Sequence, residues 1–194
     1  MNLTKNINEY DLVFLDVETT GLSAAAGEAI CEIGAVKVRN HEVVDKFQCL
    51  VNPGQEIPYH VYKIHKISNE DVKDAPFFKD IAENLLEFLE GGVICAYNAP
   101  FDAGFINSEL GRMMYAPWSG PVIDVLTMAR CLIKSQKYNL ETVVKFFNIE
   151  CPQNFHRALE DALVTAKVFA KLLEISKEKS LEEILSRYGS SKKS

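Results

Sequence analysis

Residues 10–17 alternate between two faces, with Leu12, Phe14 and Asp16 on one and Val13, Leu15 and Val17 on the other. Both faces are apolar up to Asp16, which predicts a central strand covered on each side. Residues 30–38 and 43–51 are two further strand-like runs, and the polar Arg39-Asn40-His41-Glu42 between them reads as a hairpin turn. The pattern breaks at Val51-Asn52-Pro53-Gly54. Over residues 76–90, Phe77, Ile81, Leu85, Phe88 and Leu89 recur at helical spacing, and Gly91-Gly92 stops the run. A short apolar strand, 93–97, follows. Helix and strand then alternate: helix 102–112, strand 122–124, helices 125–133 and 140–147, and a long helix 157–175. In that last helix Leu159, Ala162, Leu163, Ala166, Phe169, Ala170 and Leu173 share one stripe, whose alanines permit close approach to a sheet. A short helix, 181–188, and a Ser/Lys end expected to be disordered close the chain.

A three-stranded meander followed by strands separated by helices implies an α/β fold with a mixed sheet and helices on its faces. The 194 residues suit one domain, read as a leader 1–9, a domain 10–175 and a tail 176–194. With 47% hydrophobic residues the core needs no metal or disulfide staple. Five cysteines without a C-x-x-C pair fit reduced thiols, and no run has the length of a signal peptide or membrane span, so a cytoplasmic location is expected. Lys+Arg 21 against Asp+Glu 27 gives a net charge of −6, which excludes coating of nucleic acid by bulk electrostatics. It does not exclude a nuclease, because divalent metals held by carboxylates reverse the local sign.

Candidate chemistry begins with Asp16 and Glu18, which a strand's period of two places on one face, about 6.6 Å apart along the chain. A carboxylate ending a buried apolar strand is costly unless paired or bound to metal, although a surface turn through Thr19-Thr20-Gly21 accounts equally for D-x-E. Asp102, in Asn98-Ala99-Pro100-Phe101-Asp102, reads by itself as the N-terminal residue of a helix. Asp161 falls opposite the apolar stripe of its helix, so periodicity alone makes it solvent-exposed. His156 can share a site with Asp161 only from the lead-in just before that helix begins.

Together, Asp16-Val17-Glu18-Thr19-Thr20-Gly21-Leu22, Asn98-Ala99-Pro100-Phe101-Asp102 and His156-Arg157-Ala158-Leu159-Glu160-Asp161 resemble, in order and spacing, the three motifs of the DnaQ-like 3′-to-5′ exonucleases. The H-x-x-x-x-D spacing marks the DEDDh branch, and within it the chain is most similar to the epsilon proofreading subunit of bacterial replicative polymerase and the related polymerase-embedded domain. The resemblance implies a ribonuclease-H-like fold and two Mg²⁺ or Mn²⁺ ions held by Asp16, Glu18, Asp102 and Asp161. These four hard oxygen donors suit such cations and not zinc. Two ions about 3.5–4 Å apart can stabilise the attacking and leaving oxygens of a phosphodiester displacement. His156 is the natural general base for the attacking water.

Other positions follow from the same resemblance. Leu22 matches the residue that packs against the terminal base, with the Thr19-Thr20-Gly21 turn offering backbone amides near the 3′-hydroxyl, and Asn98 lies in the second motif. Phe101 reads equally as a base-stacking and a core aromatic. His65, in Ile64-His65-Lys66-Ile67, resembles a segment lining the nucleotide pocket, although Lys66 stands where relatives carry Gly, and a solvated loop histidine is the other reading. Tyr97 stands where the second motif usually opens with His. Asp124 matches a recurrent family Asp that is not a ligand and is read as a helix cap. The implied substrate is a single-stranded nucleic-acid 3′ end, DNA favoured over RNA, with a DNA polymerase subunit as a candidate partner and no membrane. An exoribonuclease is the alternative. A silent binding module is the remote one, since no metal ligand is missing, and aspartyl-phosphate chemistry would want D-x-D.

Overall fold

The computed structural model describes residues 1–150 and 157–190. β1 (Leu12–Thr19), β2 (Ile30–Arg39) and β3 (Glu42–Leu50) form the expected antiparallel meander. Asn40 and His41 turn between β2 and β3 at φ 50° and 68°, the left-handed backbone that tight hairpins require. Next come α1 (Tyr59–His65) and α2 (Asn69–Val72), in the stretch where the apolar pattern breaks. Neither is long enough to display a period, so periodicity does not predict them. α3 (Phe78–Leu89) buries Ile81, Leu85, Phe88 and Leu89 as expected, but Phe77 precedes the helix and is exposed.

β4 (Val93–Ala96) and α4 (Ala99–Arg112) follow, then β5 (Val122–Asp124), α5 (Val125–Leu132), α6 (Leu140–Phe146), α7 (Ala158–Ile175) and α8 (Leu181–Tyr188). The sheet order is β3-β2-β1-β4-β5, with β4 parallel to β1 and β5 parallel to β4. β1 is central, as its two apolar faces predict. The leader packs against the tail: Ile7 is buried, its N–H bonds Lys179 O at 2.9 Å, and the Leu181 N–H bonds Lys5 O at 3.1 Å. None of the described helices is long and apolar enough to cross a membrane, and no disulfide links the described cysteines.

The alternation of β1 sorts the core into two layers. Leu12 and Phe14 join Val36, Cys95, Val168, Phe169 and Leu172 beneath α5, α7 and α8, where Phe14 meets Phe169 edge-on with ring centroids 5.4 Å apart. Val13, Leu15 and Val17 join Ile33, Leu85, Phe105 and Leu110 beneath α3 and α4. Asp16 and Glu18 therefore extend the face that α7 covers. α7 buries Ala162, Phe169 and Leu173 of the predicted stripe, but its buried face extends to Asp161, Thr165, Val168 and Leu172, whereas Leu159, Leu163, Ala166 and Ala170 are only half-buried. Asp161, expected to be exposed, faces inward. A hydropathy stripe cannot see polar side chains that are buried for chemistry.

Gly34 on β2 lets α7 come this close. It pairs across the sheet with Asp16, and a Cβ there would lie 2.1 Å from the Leu159 nitrogen and 2.2 Å from the Ala158 carbonyl carbon. Both are backbone atoms, which cannot turn aside. Gly34→Ala should lift the first turn of α7 and destabilise the fold by about 1–3 kcal/mol, as overpacking does. Urea unfolding checks this, and an unshifted midpoint would mean that α7 adjusts freely.

Candidate active site

The site forms at the C-terminal end of β1, where the sheet register shifts between Glu18 and Thr19. Such irregularities re-aim side chains at the ends of strands. Carboxylate oxygens of Asp16, Glu18 and Asp161 all lie within 4.8 Å of one another. Asp102 is buried beside them and its Oδ1 accepts the Val17 N–H at 3.1 Å, so the chain atoms of β1 hold it against the cluster. The four predicted ligands thus converge from β1, α4 and α7. His156 lies outside the described residues. The described part of α7 begins at Ala158.

Burial and crowding raise the affinity of Asp16, Glu18 and Asp102 for protons. Burial pushes Asp16 well above its usual range, and Asp102, Glu18, Asp161 and Glu32 push it further. Glu18 is pushed up to about 8, by burial first and then by Asp161, Glu32 and Asp102, with Arg157 opposing. Asp102 is also raised, chiefly by burial, against the hydrogen bonds it receives. A cluster of hard oxygen donors that resist ionising together matches what a divalent cation neutralises.

This yields a stability prediction with a definite sign. Native Glu18 keeps its proton up to about 8 while the unfolded chain releases it near 4.5. In chelator, stability contributed by the protonated form is complete below the unfolded value and is lost as pH rises through the folded one. The melting temperature should therefore fall across that window, and millimolar Mg²⁺ or Mn²⁺ should restore it more at high than at low pH. Equal cation effects at both ends would contradict the crowded cluster.

Strand ends and turns hold the remaining predicted residues. The Thr19 hydroxyl donates to Gly21 O at 2.6 Å, and the Thr20 N–H bonds Ala29 O while its Oγ1 accepts the Ala29 N–H at 3.0 Å. Thr19 and Thr20 are thus buried braces of the turn, and Leu22 stands out of it at 87% exposure. A Cβ at Gly21 would displace the Glu28 carboxylate. Asn98 is exposed at φ 75°, and Phe101 is half-buried against Phe105, ring centroids 4.9 Å apart. His65 is no solvated loop residue: it is buried, its Nδ1 accepts the Ile67 N–H at 3.0 Å, and Nε2 lies 3.8 Å from Cys31 Sγ. Tyr97 donates its hydroxyl to Tyr138 O at 2.6 Å.

Two strand carboxylates do more than the sequence reading assigns them. Asp124 caps α5 as expected, its Oδ1 accepting the Leu126 N–H, but the same oxygen accepts the N–H groups of Asn98 and Ala99 at 3.1 and 3.2 Å. It therefore also caps α4, which starts three residues earlier than predicted and leaves Asp102 free of that duty. Glu32 on β2 is a site residue that the motifs do not point to. It is fully buried, pairs with Glu18 across the sheet and is bonded by Arg157. Its signal was present: a charged residue inside Ile30-Cys31-Glu32-Ile33-Gly34-Ala35 must have a partner.

The exonuclease family model matches residues 13–169. Of curated relatives, the PolC-type DNA polymerase III of Caldanaerobacter subterraneus subsp. tengcongensis is 41% identical over 180 residues, 91% of this chain but 13% of that protein. The DNA polymerase III subunit epsilon of Rickettsia felis is 38% identical over 166 residues, covering 82% of this chain and 72% of the subunit. Among solved structures, exonuclease X in complex with 5′-overhanging duplex DNA superposes with a TM-score of 0.73 at 26% identity, covering 90% of this chain and 98% of that one. The nuclease domain of 3′hExo, a DEDDh family member bound to rAMP, gives a TM-score of 0.77 at 15% identity over 90% and 97% of the two chains. The fold is thus the ribonuclease-H-like mixed sheet that the motifs imply. A match running from the second residue of β1 into the body of α7 takes in every element that builds the acidic cleft, and the chain belongs to the exonuclease family shared with DNA polymerase III epsilon and PolC.

Proposed function

We propose that the protein removes nucleoside 5′-monophosphates one at a time from single-stranded DNA 3′ ends, in proofreading or repair. The observation that carries this reading is the convergence of Asp16, Glu18 and Asp161 within 4.8 Å, with Asp102 alongside, in an exonuclease-family chain. Divalent metal ions are the cofactor class of this family, and Asp16, Glu18, Asp102 and Asp161 would hold two of them, Mg²⁺ or Mn²⁺. Once bound, such ions supply Lewis-acid stabilisation of the charge that builds on the phosphodiester. The chain's own groups do the rest. Leu22 presents an exposed apolar surface to the terminal base, and the backbone of the rigid Thr19–Leu22 turn orients the 3′-hydroxyl. Asn98 and Phe101, at the start of α4, and His65, at the end of α1, are the remaining residues assigned to substrate binding in this reading. His156 takes a proton from the attacking water on a ring nitrogen. The water oxygen bonds phosphorus, the P–O3′ bond breaks with its electron pair going to O3′, and O3′ takes a proton from solvent, so that the shortened strand leaves with a 3′-hydroxyl and the released nucleotide carries the 5′-phosphate.

A polymerase partner and a cytoplasmic location accord with the PolC and epsilon relatives. The test is digestion of end-labelled DNA and RNA oligonucleotides with Mg²⁺, with Mn²⁺ and with chelator. A ladder that shortens from the 3′ end, faster on DNA and silent in chelator, is expected. Faster turnover of RNA would make this an exoribonuclease, and release from the 5′ end or chelator-resistant cleavage would overturn the reading.

A further inference from the structure

α7 carries Asp161 in its first turn, yet its N-cap residue, Arg157, makes no side-chain cap hydrogen bond. The first N–H of that turn is met from the sheet. Glu32 Oε2 accepts the Ala158 N–H at 3.1 Å, and the Arg157 guanidinium grips both oxygens, Nε to Oε2 at 3.0 Å and Nη2 to Oε1 at 2.7 Å. Gln48 of β3 completes the shell with Nε2 to Oε1 at 3.1 Å. The chain of bonds then continues to the cleft, because the Arg157 carbonyl accepts the Asp161 N–H at 3.0 Å.

We infer that Glu32 is a positioning residue: through Arg157 and Ala158 it fixes the entry of α7, and thereby the placement of Asp161 relative to Asp16 and Glu18. The inference rests on the exonuclease reading above for its kinetic consequence, and on the carboxylate cluster alone for its metal-binding consequence. A plain packing role does not explain the arrangement. An apolar residue at position 32 would fill the same space without the desolvation that a fully buried carboxylate costs. The fork of Arg157 has directional bonds that hold one helix entry angle, which apolar contact does not. Groups that orient metal ligands from behind typically control metal affinity or activity by about 10–100-fold.

The experiment compares wild type with Glu32→Gln, which keeps the side-chain shape but loses the charge gripped by Arg157. Two quantities are read: Mn²⁺ affinity by titration calorimetry without substrate, and kcat and KM on single-stranded DNA well below the melting temperature. Both Mn²⁺ affinity and kcat should fall by about 10–100-fold, with KM nearly constant. Arg157→Lys, a change on the solvent side, keeps the charge without the fork and should reproduce the same pattern at smaller size. It decides the matter if Glu32→Gln does not fold. A lowered melting temperature with unchanged Mn²⁺ affinity and kcat would reduce Glu32 to packing and overturn the inference. If wild type itself shows no metal-dependent nuclease activity, the exonuclease reading fails, while the Mn²⁺ titration still judges the role of Glu32.

Discussion

Asp16→Asn should abolish turnover while leaving a better-folded protein in chelator. Asp16 has acidic neighbours on every side of the cleft: Asp102, Glu18, Asp161 and Glu32 all raise its carboxyl. Asn has nearly the same shape, so β1 keeps its pairing with Gly34 and its place at the sheet centre. What disappears is one charge and one hard oxygen donor at the meeting point of the ligand set. Stabilisation by a metal ion is worth several kcal/mol of the barrier, so kcat should fall by at least about 10³-fold. Where the pH is high enough to ionise the cluster, the same substitution removes one of the repelling charges, so the chelated variant should melt at or above the wild-type temperature. Its rise in melting temperature on adding Mg²⁺ should shrink, because fewer ligands favour the cation in the native state. Single-turnover kinetics and thermal melts, each with Mg²⁺ and with chelator, read these effects. Wild-type turnover in this variant would remove metal-assisted hydrolysis at this cleft.

The strand alternation that put Leu12, Phe14, Asp16 and Glu18 on one face was legible because a sheet's period of two is unambiguous over a long apolar run. The helical face of α7 is legible only in part, for a physical reason. Asp161 and Thr165 are buried there, so a hydropathy stripe points away from the functional side. The spacing from His156 to Asp161 located the site where hydropathy could not. The helices α1 and α2 have seven and four residues, too short for periodicity. A different signal marks α2, for Ser68 and Asp71 form a reciprocal capping box. Asp124 was legible as a cap because Asp before an apolar run is a helix-start signal, but its second set of bonds, to Asn98 and Ala99, depends on β5 lying beside β4. No local reading supplies that neighbour. Polar residues that bridge distant segments escape such readings, and in this fold they secure the starts of both helices that bear cleft aspartates.

The His156→Ala variant should separate two functions that Asp16→Asn removes together. Its role in the proposed mechanism is to accept a proton, and no ligand oxygen is lost with it, so Mn²⁺ affinity and the metal-induced rise in melting temperature should persist. Substrate binding should persist too. General-base assistance is worth about 10²–10⁴ in rate, and kcat near neutral pH should fall by that much. The pH profile distinguishes this from a loss of structure. In wild type, kcat should decline on the acid side as an imidazole with an ordinary pKa of about 6.5 becomes protonated and can no longer take the proton. The variant should lack that inflection and recover part of its deficit as pH rises, since hydroxide then needs no protein base. The motivation is the H-x-x-x-x-D spacing of His156 and Asp161 in the sequence, together with Asp161 lying in the first turn of α7 among the cleft carboxylates. If His156→Ala kept wild-type turnover and the same acid-side inflection, the proton would have to pass to another group. If it lost metal affinity as well, the residue would belong to the ligand set and not to the proton path.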